Sequence, residues 1–168
     1  GLAKRRFITP GDLFPALIKQ LRFRLRGAES HDDIASGREH ALSLVKGKSV
    51  NELQSLCREI VDRQMVSKAY QDTIDLASMH IAAGQQVWLV SATPVQIGQA
   101  LAERLGFTGA LGTVAEEEDG VFTGRLVGDI LHGPGKRHAV AALAAIQRLD
   151  LAKCTAYSDS INDLPMLG

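Results

Sequence analysis

Val87-Trp88-Leu89-Val90-Ser91-Ala92-Thr93-Pro94 is the stretch on which the fold turns. Its first four residues form a short continuous apolar run bounded by turn signals, the pattern of a buried parallel strand rather than a half-exposed one. Pro94 then opens a helix with Ile97, Leu101 and Leu105 on one face and Gly106 as its stop. The hydroxyls of Ser91 and Thr93 lie between strand and helix. Thr93 is placed to cap the helix, and the free N–H groups of a positive helix end beside Ser91 and Ala92 suit an anion. Taken alone, the same string also describes a plain strand-to-helix turn.

Working outward, the chain alternates helix and strand. Upstream, Ile74, Leu76, Met79 and Ile81 mark a helix ending at Gly84. Downstream, residues 110–127 resemble a hairpin with Asp119-Gly120 as its turn. An alanine-rich helix follows from about Pro134 to Leu149, then a strand over Cys154 to Tyr157 and a short helix from about Ile161. This alternation predicts an α/β layer with a parallel sheet, whose chemistry gathers at the carboxyl ends of the strands. Residues before 67 differ in texture. Leu13, Leu17, Ile18, Leu21 and Leu25 follow helical spacing to Gly27, and a second helix fits His40 to Val45, closed by Gly47. A third starts at Val50, with Ser49 and Glu52 as a capping box. The expected division is a helical region over 1–67 and an α/β region over 68–168.

Two further clusters stand at strand or helix ends. In Gly133-Pro134-Gly135-Lys136, a lysine in the first turn of a helix opposes the helix dipole, which is more common where function demands it. An exposed lysine beside a turn is the plainer alternative. In Ser158-Asp159-Ser160-Ile161-Asn162-Asp163, two carboxylates and an amide follow a strand closely. Magnesium takes one or two carboxylates and completes its octahedron with water and phosphate oxygens. Asp159 is the first candidate for direct ligation, with Asp163 ligating or orienting and Asn162 reaching the phosphoryl group or a bound water. Capping by Asp159 or Ser160 accounts for one of these residues but not for the group.

Composition bounds the alternatives. The 168 residues are 45% hydrophobic and 23% charged, with a formal net charge of zero, which suits a folded domain and gives the whole chain no electrostatic pull toward nucleic acid. Basic residues cluster early, at Lys4, Arg5, Arg6, Lys19, Arg22, Arg24 and Arg26 against Asp12 and Glu29, and an acidic run lies at Glu116 to Asp119. Such a basic face is compatible with a membrane surface or an anionic substrate, and equally with solvent. Cys57 and Cys154 lack disulfide or zinc spacing, which fits a reducing cytoplasm, and the five histidines form no ligand cluster. Nothing in the sequence bears on oligomeric state.

The strings Leu89-Val90-Ser91-Ala92-Thr93-Pro94, Glu103-Arg104-Leu105-Gly106, Phe122-Thr123-Gly124-Arg125, Gly135-Lys136 and Tyr157 to Leu167 stand in register over about residues 85–168. Together they resemble the second to fourth motifs of the haloacid dehalogenase superfamily, in its phosphoserine-phosphatase-like subclass. The resemblance implies a Rossmann-like parallel core with an inserted all-helical cap over 1–67. It implies a magnesium-dependent phosphomonoester hydrolase acting on a small phosphorylated substrate. Ser91, Lys136 and Asn162 would be catalytic, Ser91, Ala92 and Lys136 would hold the phosphate, and Asp159 and Asp163 would bind Mg2+. The family's first motif, Asp-x-Asp, carries the nucleophile and the acid/base, and no Asp-x-Asp occurs in these residues. The expectation is therefore that the nucleophile precedes Gly1 and that this stretch alone is inactive. A binding or regulatory module, or a phosphatase domain linked to lipid metabolism, are the alternatives.

Overall fold

The computed structural model describes Glu39 and residues 41–167, and its contacts divide them into two compact units. The expected first helix, with its basic face, lies outside the described residues.

One unit joins the stretch up to Glu52 with Ala115–Arg125. Residues 41–45 are helical and turn at Gly47, which adopts φ +71°. The chain then runs beside a hairpin: strands Ala115–Glu118 and Val121–Leu126 are joined by Asp119 and Gly120. Both turn residues have positive φ, 50° and 77°, as a two-residue type I′ turn requires. Gly47 N–H donates to Phe122 O at 2.8 Å, Phe122 N–H to Lys48 O at 3.0 Å and Val50 N–H to Gly120 O at 3.0 Å, so residues 47–50 edge the hairpin antiparallel. Phe122, 1% exposed, fills the interior. Ser49 Oγ accepts from Glu52 N–H at 3.4 Å, the forward half of the expected capping box.

The other unit, Leu53–Val114 with Leu126 onward, holds the α/β layer. In chain order its elements are α1 (Val50–Ile60, entering from the first unit), α2 (Gln71–Ala82), β1 (Trp88–Pro94), α3 (Val95–Leu105), β2 (Gly109–Thr113), α4 (Pro134–Gln147) and α5 (Leu164–Leu167). A π-helical turn, Val61–Met65, extends α1. Strands β1 and β2 pair in parallel, Trp88 opposite Gly109 and Val90 opposite Leu111, with α3 as the crossover. Small residues let α3 lie close: Ala100 and Ala102 are buried, and a Cβ on Gly98 would stand 3.0 Å from that of Ala110. Gly106 ends α3 in the left-handed conformation, as its position after the last apolar residue predicts. Leu56, Cys57, Val61, Leu131 and Ala144 complete the core, and burial pushes the Cys57 thiol pKa up.

Four expectations change. The segment 110–127 is not one hairpin, because residues 109–113 leave it to pair with β1. Thr93 does not cap α3. Strand β1 continues to Pro94, which precedes the helix with no side-chain cap. The first strand is half-buried rather than buried, since one edge of β1 has no partner strand among the described residues. Cys154 to Tyr157 form no strand either. Cys154 is extended at φ −93°, ψ 149°, but the segment has no ladder partner among the described residues, and its residues are exposed. Among the described residues no helix is long and apolar enough to cross a membrane.

On the surface of this unit the Arg104 guanidinium grips Asp62 with both carboxylate oxygens engaged, at 2.5 and 3.0 Å. The hydrogen bonds from Arg104 hold the Asp62 carboxyl below its usual range, outweighing partial burial. A carboxyl depressed in the folded state stabilises fully above the unfolded pKa and loses that contribution as pH falls through the folded value. Asp62→Ala is therefore expected to melt below the wild type near neutrality, and the gap should begin to narrow only as pH falls below about 4. Thermal melts of both chains across pH 3–7 measure it.

Candidate functional site

Strand β1 does not simply stop at Ser91. Its register with β2 passes from Val90 opposite Leu111 to Pro94 opposite Thr113, so Ser91, Ala92 and Thr93 face the single residue Gly112. The three residues bulge out of the ladder at its carboxyl end. Within the bulge Ser91 Oγ accepts from Thr93 N–H at 3.2 Å. Ser91 is half-buried, and Ala92 to Pro94 are exposed. The first N–H groups of α3 follow directly and have no intrahelical acceptor.

Glycine is required beneath this bulge. A Cβ at Gly112 would stand 2.7 Å from Val95 Cα and 2.8 Å from the Thr93 carbonyl oxygen, backbone atoms that cannot swing away. Its neighbour Thr113 donates its hydroxyl to Ala92 O at 2.8 Å and accepts from Leu131 N–H at 3.1 Å. Neither residue was singled out from the sequence. The available signal was a glycine interior to a strand, which marks a bulge or a close backbone approach.

Leu131 leads into the turn that starts α4. Gly133, at φ 50° and ψ −123°, holds a conformation open to glycine alone, and Pro134 follows in the first helical turn. Lys136 points inward, 9% exposed, and its Nζ lies 2.5 Å from Asp163 Oδ1. The plain alternative of an exposed lysine does not describe it. Asp163 Oδ2 accepts from Ser158 Oγ at 2.7 Å, so both of its oxygens are occupied. Burial pushes the Asp163 carboxyl upward. The hydrogen bonds from Lys136 and Ser158, with the charges of Lys136 and His132, more than offset this and hold it below the usual range.

The loop around Asp163 is built by its own hydroxyls. Ser158 Oγ accepts from Ser160 N–H at 3.1 Å, and Ser160 Oγ caps the 3₁₀ turn Ile161–Asp163 by accepting from Asn162 N–H at 3.3 Å. Capping therefore falls to Ser160 and leaves Asp159 unspent. Asp159 is exposed and makes no hydrogen bond or ion pair among the described residues, and Asn162 is exposed beside it. Just before the loop, Tyr157 Oη lies 2.9 Å from His80 Nε2, and His80 Nδ1 lies 2.5 Å from Gln85 Oε1. With Gln85 accepting from Nδ1–H, Nε2 is the acceptor for the tyrosine.

One set of hydrogen bonds thus runs from the Ser91 bulge through Thr113 to Leu131, and a second joins Lys136, Asp163 and Ser158; the backbone of residues 131–136 connects the two. Ala92, next to Ser91, belongs to the first set and Lys136 and Asp163 to the second, while the side chains of Asp159 and Asn162 have no partner among the described residues. Among the described residues no three His, Cys, Asp or Glu side chains converge as a ready-made metal cage. The donor set nevertheless suits a hard cation that keeps most of its waters: one unpartnered carboxylate, Asp159, next to a carboxylate already fixed by protein donors.

The haloacid dehalogenase-like hydrolase family model matches residues 2–168. The chain belongs to that family. It is 53% identical over 167 residues to the phosphoserine phosphatase SerB1 of Mycobacterium tuberculosis, covering 99% of this chain and 54% of that protein. A putative hydrolase of Mycobacterium leprae is 50% identical over the same length, with 56% of it covered. The chain thus spans about half the length of the curated relatives it matches. The crystal structure of a Bordetella pertussis protein of unknown function superposes with a TM-score of 0.78 at 26% identity, covering 98% of this chain and 74% of that one.

Two consequences are measurable by thermal unfolding. Lys136→Met leaves the Asp163 charge buried with its main partner gone and is expected to cost about 3 kcal/mol. Adding Asp163→Asn should return much of that loss. Gly112→Ala forces the Ser91 bulge off the β2 backbone and is expected to cost about 1–3 kcal/mol.

Proposed function

We propose that this chain forms the phosphate- and magnesium-binding part of a phosphomonoester hydrolase that works, in the cytoplasm, on a small phosphorylated substrate, phosphoserine or a similar ester. The observation that supports the proposal is that Thr113 bonds the Ser91 bulge to Leu131, a few residues ahead of Lys136, whose buried ammonium meets Asp163. The mycobacterial relative named as a phosphoserine phosphatase supports the substrate class. Residues 1–67 would serve as the helical cap and 68–168 as the core.

In this assignment the phosphoryl oxygens are taken by the Ser91 hydroxyl, the Ala92 backbone and the free N–H groups at the start of α3. Phosphoryl transfer requires little beyond positioning and charge stabilisation, and donors already fixed in place supply both without reorganising. Lys136, held inward by Asp163, presents its cationic head to the charge that builds on the phosphoryl group. Asp159 holds the magnesium ion, with Asp163 orienting the loop and Asn162 reaching the phosphoryl group or a bound water. When bound, Mg2+ supplies charge neutralisation at the phosphoryl oxygens. The nucleophile is an aspartate outside these residues. Its carboxylate displaces the substrate alcohol to give an aspartyl-phosphate, which water then cleaves to inorganic phosphate.

The test is magnesium-dependent phosphate release from phosphoserine and p-nitrophenyl phosphate by the full-length protein. Asp159→Asn is expected to lower kcat/KM by roughly 100-fold or more and to raise the magnesium concentration needed for half-maximal rate. Undiminished turnover in that variant removes the assignment.

A further inference from the structure

The two groups proposed to hold the phosphate come from different elements, Ser91 from the end of β1 and Lys136 from the start of α4. Their separation must be set by something between them. The Thr113 side chain bonds the backbone beside one and the backbone leading to the other. Thr113 ends β2, and its hydroxyl spends its single proton on Ala92 O, one residue past Ser91, while its oxygen takes the N–H of Leu131. From Leu131 the backbone to Lys136 is fixed in turn: Gly135 N–H donates to His132 O at 3.0 Å and Lys136 N–H to Gly133 O at 3.1 Å.

The bulge needs such a tie. Three residues of β1 lie opposite one of β2, so the ladder bonds that would fix Ser91 are missing. Gly112 sets how near the bulge lies but cannot hold it, having no side chain. The Thr113 hydroxyl is the polar group of β2 that reaches the bulge, and the same atom reaches the α4 turn.

We infer that Thr113 is a positioning residue of the phosphate site, its hydroxyl fixing the distance between the Ser91 hydroxyl and the Lys136 ammonium; this rests on the phosphatase assignment above. Thr113 touches no substrate. Its effect is on the fit of two groups to the transition state, where a misplacement of about 1 Å costs on the order of 100-fold.

Valine is the isosteric replacement that deletes both hydrogen bonds, and serine keeps them while dropping a methyl. In the full-length protein Thr113→Val is expected to lower kcat for p-nitrophenyl phosphate by roughly 10- to 100-fold. It should also raise the inhibition constant of inorganic phosphate, while Thr113→Ser stays within about threefold of the wild type on both. Should the valine chain not fold, Thr113→Ala takes its place, and loss in alanine with retention in serine supports the inference. A folded valine or alanine variant with wild-type kcat and wild-type phosphate inhibition overturns it, even if its melting temperature has fallen. A wild type that neither releases phosphate from esters nor binds it overturns the phosphatase assignment, and this inference with it.

Discussion

Lys136 and Asp163 meet in a place where neither could stand alone. Taking one charge out of water costs several kcal/mol, and a carboxylate so placed would ordinarily take up a proton. Here the ammonium and the Ser158 hydroxyl each give one carboxylate oxygen a hydrogen bond. The pair is the tie on which the end of the chain depends. Residues 154–160 have no strand ladder among the described residues, and the helix that follows, Leu164–Leu167, is a single turn. This ion pair fastens the Ser158–Asp163 loop to α4, together with the packing of Leu164–Leu167 on the same helix, and the Tyr157–His80 contact anchors it on α2. An apolar replacement of the pair could equal its stability, but it would not fix the loop's register so directly.

The other half of the site rests on backbone constraint rather than charge. Parallel strands joined through a helix leave the crossover turn at the sheet's carboxyl end, where loops gather. A bulge at that end frees Ser91 from the ladder, and the absence of a side chain at Gly112 lets the freed backbone settle onto β2. The same economy of side chain recurs under α3, where Gly98, Ala100 and Ala102 bring the helix onto the sheet. Close approach of helix to strand keeps the helix N-terminus beside the bulge at the carboxyl end of β1.

Much of this was legible in residue order. The helix ends at Gly84 and Gly106, the I′ turn at Asp119-Gly120 and the parallel relation of β1 to its neighbour all follow from local chemistry that the tertiary structure did not override. The three clusters around Ser91, Lys136 and Asp163 were legible for the same reason: each sits where an element ends, and ends are marked by glycine, proline and hydroxyl residues. What could not be read was partnership. Gly109-Ala110-Leu111-Gly112-Thr113 carries β-type and turn-type residues together, so it reads as a hairpin arm until Trp88 is known to lie against Gly109. The strand expected over Cys154 to Tyr157 fails on the same ground, since apolar and β-branched residues predict extension but not a neighbour to pair with. Thr113 was invisible because its importance lies in two backbone groups far from it in sequence.

Within the Ser158–Asp163 loop, two aspartates four residues apart divide their duties by what already binds them. Each Asp163 oxygen already accepts one hydrogen bond, so its charge helps to hold Lys136 and the loop. Asp159 has no partner among the described residues, because Ser160 takes the capping role that an aspartate in such a loop ordinarily fills. A serine at the cap therefore leaves a carboxylate unspent at the surface. Charge that structure has not consumed is charge a ligand can use, and it stands next to the one segment of the loop that the buried pair keeps from moving.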